Sequence, residues 1–333
     1  MGGTTTGRNA DQAHGGCTMS SPLPAPFVAR LRMLIPPAHW DHVWRSFHEP
    51  RLSCFRVNTL KTCPEQVHAE LQRMGIAWHT WPDKMDALFV APEDRSRVLD
   101  SALYAAGLLY SQSLASQLCA RMLAAQPGER VLDMCAAPGG KTLQLACMMQ
   151  ATGELLANEA VRKRFFKLKG VLAAQGVEHF VRTSLADGRV LWRRHGASFD
   201  RVLVDAPCST EARFHADRPA SFRYWSPRKI KEMRHKQKGL LRSGLRCVKP
   251  GGTLIYATCS FAPEENELVV FDALKHFAGE VTLAPIALAG VKCMPGLAQW
   301  QERAFPEELR RCCRILPDEW TEGLFIACFK KRS

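Results

Sequence analysis

Two cysteines occupy matching settings. Asp205-Ala206-Pro207-Cys208-Ser209 and Ala257-Thr258-Cys259-Ser260 each close a short apolar run, and the small-residue turn Cys135-Ala136-Ala137-Pro138-Gly139-Gly140-Lys141 precedes them in the chain. One cysteine in such a place is ordinarily a packing residue. Two at strand ends point to covalent chemistry, in which a thiolate adds to a carbon and splits one hard step into easier ones. Such a thiolate needs an electropositive, partly open setting. The residues alone leave open which cysteine attacks and which assists the later release.

A second constellation consists of acids. Asp133 leads into the Cys135–Lys141 turn, while Glu159, Asp187 and Asp205 each follow or close a short apolar stretch. Ligands of open α/β sheets bind outside the carboxyl ends of the strands. A carboxylate after the second strand suits two ribose hydroxyls, and one after the third suits an exocyclic amine, so the ligand should carry a nucleoside. The small residues of the turn let a ligand approach the backbone, and the helix start behind them offers unpaired amides to an anion. The GxxxxGK[ST] spacing of a P-loop is absent, which disfavours ATP hydrolysis.

The elements that would position these groups alternate. Apolar strands are predicted over Arg130–Met134, Leu155–Asn158, Phe180–Thr183, Arg201–Asp205 and Thr253–Thr258, separated by longer helical stretches. That rhythm predicts a doubly wound parallel sheet in an α/β fold. A helix is predicted over Ser111–Leu123, and another over Glu264–Phe277 with Glu264, Glu265 and Glu267 at the positive end of its dipole. Cys312–Leu316 and Leu324–Lys330 read as a hairpin closing one sheet edge. Before this unit, 27–107 mixes helix and strand signals (Phe27–Leu34, Ser53–Asn58, Pro64–Met74, Leu88–Val90), as a small α/β appendage would. The Gly-, Thr-, Ser- and Pro-rich residues 1–26 read as a flexible tail.

The 333 residues carry a net charge of +13, which favours a polyanionic partner. Thirteen cysteines without a CxxC pair or a Cys/His cluster argue for reduced thiols in an intracellular protein and against a metal site. No long apolar run or signal sequence is present, so a soluble chain away from the membrane is expected. Cationic runs over Arg162–Lys169 and Arg228–Arg246, and the mixed stretch Arg213, His215, Arg218, Phe222, Tyr224 and Trp225, suit phosphate contact and base stacking.

Cys135–Thr142, Asp205–Ser209 and Ala257–Ser260 followed by Pro263-Glu264-Glu265-Asn266-Glu267 together resemble the signature set of the Sun/Fmu (NOL/NOP/Sun) family of RNA cytosine-5 methyltransferases. The resemblance extends to Arg56-Val57-Asn58-Thr59-Leu60-Lys61, Tyr110-Ser111-Gln112 and Thr321-Glu322-Gly323-Leu324-Phe325. It implies a Rossmann-like class I methyltransferase sheet over 108–333, an RNA-binding appendage over 27–107, and S-adenosyl-L-methionine as cofactor. Cys135, Ala136, Ala137, Pro138, Gly139, Gly140 and Lys141 would hold its methionine end, Glu159 its ribose, Asp187 its adenine, with Arg164 nearby.

The implied reaction is methylation of cytosine carbon 5 in tRNA or rRNA. That carbon is a poor nucleophile until a thiolate adds at carbon 6, and the resemblance assigns the attack to Cys259 and the release step to Cys208. Asp205 would hold the cytosine ring nitrogen and exocyclic amine, contact the cofactor, or both. The family often has glycine where Thr210 or Ala212 stands here. A paired cytosine cannot present carbon 6, so the target must be single-stranded or flipped out. Two other readings compete: a methyltransferase with a different target, and a catalytically silent RNA-binding or assembly protein. The appendage or a protein partner would select the substrate.

Overall fold

In the computed structural model the described residues are 22–81 and 84–333. Most of the tail read over 1–26 lies outside them, but Leu23 is buried and a helix begins two residues later. Helices α1 (Ala25–Leu34) and α2 (Pro37–Arg45) lead to β1 (Ser53–Val57), α3 (Pro64–Arg73), β2 (Trp78–Trp81) and β3 (Lys84–Val90). Short helices α4 (Arg95–Leu99) and α5 (Ala102–Ala105) precede β4 (Leu109–Ser111). These four strands form one sheet in the order β2-β3-β1-β4. Its own core, including Phe55, Val67, Leu71, Leu88 and Leu109, is closed by α3.

The larger unit then alternates: α6 (Leu114–Met122), β5 (Arg130–Asp133), α7 (Gly140–Met148), β6 (Glu154–Glu159), α8 (Arg162–Gln175), β7 (Val181–Leu185), α9 (Trp192–His195) and β8 (Phe199–Asp205). It continues with α10 (Pro227–Cys247), β9 (Val248–Thr258), α11 (Glu267–His276) and β10 (Val281–Ala284). The end of the chain adds β11 (Cys293–Pro295), the small pair β12 (Gln299–Trp300) and β13 (Arg303–Ala304), then β14 (Cys313–Ile315) and β15 (Leu324–Lys331). Strands β9, β8, β5, β6 and β7 are parallel neighbours, and antiparallel β15 continues the sheet beside β9. Val131, Leu132, Val202, Leu203, Leu254 and Ile255 are fully buried, because helices cover both faces of a parallel sheet.

Several expected boundaries move, each for a physical reason. Ser111 pairs with Phe55 in the small sheet, so α6 starts later, with Ser113 accepting the Ser116 amide as its cap. The small sheet therefore runs past the expected division at Gly107. Conversely, Phe27, Leu31, Leu34, Val43 and Phe47 pack in one cluster with Val202, Phe214 and Tyr256, so α1 and α2 belong to the large sheet's core. The hairpin of β14 and β15 does not end the sheet, since β11 lies beyond β14 and β10 pairs with β15.

The helix expected over Glu264–Phe277 begins only at Glu267. Glu264 and Glu265 precede it and do not serve its dipole; Glu265 and Glu267 are fully buried. Glu267 is gripped by Arg314, with Nε to Oε1 at 2.7 Å and Nη2 to Oε2 at 2.5 Å. This fork, itself buried, ties α11 to β14. Removing one partner of such a pair leaves a charge without compensation, so Arg314→Met should destabilise the fold by about 3–5 kcal/mol, whereas Glu267→Met with Arg314→Met should recover most of that loss. Urea unfolding followed by circular dichroism distinguishes the two; equal losses in both variants would exclude the mechanism.

Candidate active site

The pairing of β8 with β9 sets Asp205 opposite Ala257. The chain leaves both strands at their carboxyl ends, and a few residues on Cys208 Sγ and Cys259 Sγ come to 3.2 Å. No disulfide joins them; both are free thiols. Beneath them the exit loops are stitched together by buried carboxylates. Glu265 accepts the Ser209 amide at 3.0 Å and the Ser260 hydroxyl at 2.9 Å, one from each cysteine loop. Glu211 accepts the Phe261 and Ala262 amides at 2.8 and 3.0 Å and the Trp225 indole N–H at 2.8 Å. Gln237 on α10 donates to both Glu265 and the Pro207 carbonyl. Burial pushes the Glu265 carboxyl up to about 7 and raises Glu211 as well.

Thr210, directly after Ser209, has φ +58°, the left-handed region in which a β-branched residue is strained. This conformation explains why glycine suits that position. The next residues carry Arg213 to the cysteine pair. Its guanidinium interacts with Cys259 more strongly than with Cys208, and that raises its own pKa. The hydrogen bond from Cys208, opposed by burial and reinforced by Arg213, lowers the pKa of Cys259. The same hydrogen bond, together with burial, pushes Cys208 well up. The pair is thus asymmetric, and Cys259 is the more readily ionised of the two thiols. Arg213 was legible in the sequence only as a loop cation for phosphate, because its proximity to Cys259 is a product of the fold.

Beside the thiols opens a cleft of about 540 Å³. Cys135, Ala136, Ala137, Pro138, Gly140 and Lys141 line one side, with Asp205, Cys208, Cys259 and Arg213 opposite. The Ala137–Pro138 peptide is cis. Gly139 has φ +122°, and a Cβ on Gly140 would stand 2.7 Å from the Tyr110 ring, so the turn admits no side chain there. Among the described residues no side chain caps α7, whose first amides therefore remain available. Lys141 Nζ donates to Asp205 Oδ2 at 2.8 Å and to Ser116 Oγ at 2.7 Å. Burial opposes its charge, but Asp205 keeps the ammonium protonated, above the usual lysine value. Ser116, on α6, carried no sequence signal.

The remaining acids divide. Asp133 accepts from Thr142 through Oδ2, while its buried Oδ1 has no partner; burial raises its pKa to about 7. Glu159 accepts the Val161 amide through Oε1, and its buried Oε2 makes no hydrogen bond, the nearest cation being Arg164 at 3.5 Å. Arg164 lines the cleft and also donates to the Ala137 carbonyl at 2.6 Å. Neither Glu159 nor Asp187 lines the cleft, and both oxygens of Asp187 are held by Arg189, which lowers its pKa. Gly139 lies behind the turn against Val171 and Leu168.

Of the aromatic residues after Cys208, Trp225 and Phe222 pack against Phe214 and so anchor the loop, while Tyr224 is exposed. The cationic run over Arg228–Arg246 lies on α10, whose Ile230, Met233, Leu241 and Leu245 are buried, leaving most of its charges outward. The run over Arg162–Lys169 forms the start of α8, with Phe166 exposed. Cys119 and Cys247 are core residues. No helix among the described residues is long and apolar enough to cross a membrane, and no cluster of three or more His, Cys, Asp or Glu side chains fits a metal ion.

Comparison with known proteins agrees with this geometry. A ribosomal RNA small subunit methyltransferase F from Vibrio vulnificus is 32% identical over 93% of the chain, which spans 64% of that relative's length. A tRNA (cytosine(49)-C(5))-methyltransferase from Pyrococcus abyssi is 31% identical over 87% of the chain and 92% of its own length. A methyltransferase homologue from Pyrococcus horikoshii superimposes with a TM-score of 0.73 at 29% identity, over 93% of this chain and all of that one. Residues 120–330 match the family described as 16S rRNA methyltransferase RsmB/F, and with the two cysteine loops, the asymmetric thiol pair and the class I methyltransferase sheet all inside that span, the chain belongs to this family.

Proposed function

We propose that this chain methylates carbon 5 of cytosine in RNA, with S-adenosyl-L-methionine as methyl donor. The observation that carries the reading is the pair of free thiols, Cys259 and Cys208 at 3.2 Å, at the edge of a cleft that Asp133 and Asp205 also line. The cleft's features suit that cofactor: uncapped amides at the start of α7 for a carboxylate and a turn without side-chain obstruction; Glu159, outside the cleft's lining and facing Arg164, would have to turn its Oε2 to ribose hydroxyls. Cys135 to Lys141, Glu159 and Arg164 would hold it. For Asp187 to reach an adenine amine, it would have to exchange its Arg189 partner for that donor. When bound, the cofactor supplies an electrophilic methyl group.

The chain's own residues prepare the cytosine. Cys259, as thiolate, adds to carbon 6, and the electron pair of the 5,6 double bond moves toward carbon 5. Asp205 faces the base, its other side held by Lys141, so that it can accept from the exocyclic amine and stabilise the adduct. Cys208 keeps its proton during the attack; after giving that proton to solvent, its thiolate takes the carbon 5 proton, the C–H electrons re-form the 5,6 double bond, the carbon 6–sulfur bond breaks and Cys259 returns as thiolate. The small sheet over 53–111 and the cationic faces of α8 and α10 supply further RNA contacts. A paired cytosine cannot present carbon 6 to the thiol, so the target is unpaired or flipped out.

Two outcomes test this. Cys208→Ala should accumulate a covalent protein–RNA adduct visible on a denaturing gel, whereas Cys259→Ala should give neither adduct nor transfer of labelled methyl to cytosine; the reverse pattern would exchange the two roles, and transfer by Cys259→Ala would exclude the covalent route. Separately, the Cys208 hydrogen bond and, after it, Arg213 lower the pKa of Cys259, so single-turnover methylation should rise with pH as that thiol ionises. Arg213→Gln should move this rising limb to higher pH, and an unmoved limb would mean that Arg213 does not polarise the pair.

A further inference from the structure

A second cavity, of about 560 Å³, adjoins the cleft, and Ser111, Ser113, Arg213 and Glu322 line both. Its walls come from parts of the chain distant in sequence. The segment before β1 contributes Arg51 and Leu52, the loop after Cys208 contributes Arg218 and His215, and Arg95 comes from α4. The Leu52 amide donates to the Glu319 carbonyl at 3.0 Å, which fixes the Arg51 segment against the loop before β15. The volume falls within the ~300–1,000 Å³ of ordinary ligand pockets.

Four arginines line this cavity, Arg51, Arg95, Arg213 and Arg218, against two carboxylates, Glu49 and Glu322. Arg51 has no ion pair among the described residues; its one hydrogen bond runs from Nη2 to the Ser46 carbonyl at 3.0 Å, and its buried Nε has no partner. Among the described residues, Arg95 reaches the Ser111 hydroxyl and the face of Phe55. Glu322, the acid nearest the junction, is within 3.8 Å of Arg213. Burial disfavours the Arg51 charge, and Glu322 and Asp318 support it only without an ion pair, so its planar fork is left to suit a phosphate.

From this we infer that the second cavity holds the phosphodiester backbone of the RNA strand immediately flanking the target cytosine, with Arg51 and Arg218 as phosphate contacts. The shared wall of Ser111, Ser113, Arg213 and Glu322 is where the strand passes from this cavity to the thiols, so the target base enters the cleft while its neighbour's phosphate stays outside. The inference rests on the RNA reading above and gives the strand a path.

The test is fluorescence-anisotropy titration of the full chain with a cytosine-containing single-stranded oligoribonucleotide across a range of KCl, alongside methyl transfer to the same oligoribonucleotide. Arg51→Gln and Arg218→Ala should each raise Kd about five- to tenfold and lower the salt slope by about one, while kcat changes little and KM rises. Lys275→Ala, exposed on α11 and outside both cavities, should leave Kd within about twofold, as expected for a remote solvated charge. Unchanged Kd and salt slope in the two arginine variants would overturn the inference; so would an equal loss in Lys275→Ala, or displacement of the RNA by polyglutamate at equal charge concentration. Should Arg51→Gln fail to fold, Arg218→Ala, in an exposed loop position, decides alone. Binding with the expected arginine dependence but no methylation would sink the cytosine-5 reading and leave the strand site standing; methylation with unaltered binding in both variants would do the opposite.

Discussion

The site depends on one register: β8 and β9 lie side by side and parallel, with Asp205 opposite Ala257. Adjacent parallel strands are about 4.8 Å apart, so loops leaving the same end of both must begin close together. That spacing turns two cysteines 51 residues apart in sequence into a pair at 3.2 Å. A slip of one residue would turn each side chain to the other face of the sheet and part them. The register is held because Val202, Leu203, Leu254 and Ile255 are completely buried, which leaves no alternative pairing that keeps the apolar groups out of water.

Close strand ends do not by themselves fix a thiol geometry, since loops are free to diverge. Here Glu265 takes one hydrogen bond from each cysteine loop, and Glu211 gathers the amides that follow Cys259. Burying carboxylates is expensive, as their raised pKa values record. The compensation is a set of short, multiply bonded contacts that leaves the loops little freedom. Such preorganisation costs stability in the resting protein and avoids rearrangement when the substrate arrives. Thr210, held at positive φ at a cost of about 1–2 kcal/mol, belongs to the same arrangement, because it turns the chain so that Arg213 comes back over the cysteines.

Most of the central strands were legible because strands buried on both faces appear as apolar runs, and the five predicted runs fall on β5 to β9, although β7, at the outer end of the parallel set, exposes Arg182 and Leu185. The acids were harder. Glu264, Glu265 and Glu267 resemble a helix start, yet two of them are buried by loops and by Arg314, partners far away in sequence. Likewise α1 and α2 carry a helical pattern, but nothing in that pattern says that Phe27 and Phe47 pack beside Phe214 and not in the small sheet. The strand-end acids were visible as residues, while their separate fates were not: Glu159 keeps an open oxygen, and Asp187 is occupied by Arg189 two positions on. Local sequence reports propensity and periodicity; partner choice among charges is a long-range property.

The two thiols illustrate the same limit at the level of chemistry. In sequence they are equivalent, each a cysteine before serine at a strand end, and burial alone would raise both pKa values and leave neither reactive. A hydrogen bond between two equal thiols can be drawn in either direction, so it cannot choose the donor. An external charge can. Arg213 stands nearer in effect to Cys259 than to Cys208, and Glu265 adds negative potential at Cys208, where it disfavours a second anion. Both influences favour ionisation at Cys259 over Cys208, against the charges of Asp205 and Glu322 near Cys259. The asymmetry that permits one thiol to attack and the other to wait therefore lies in the neighbours of the pair, in the loop carrying Thr210 and Arg213 and in the acid beneath, and not in either cysteine.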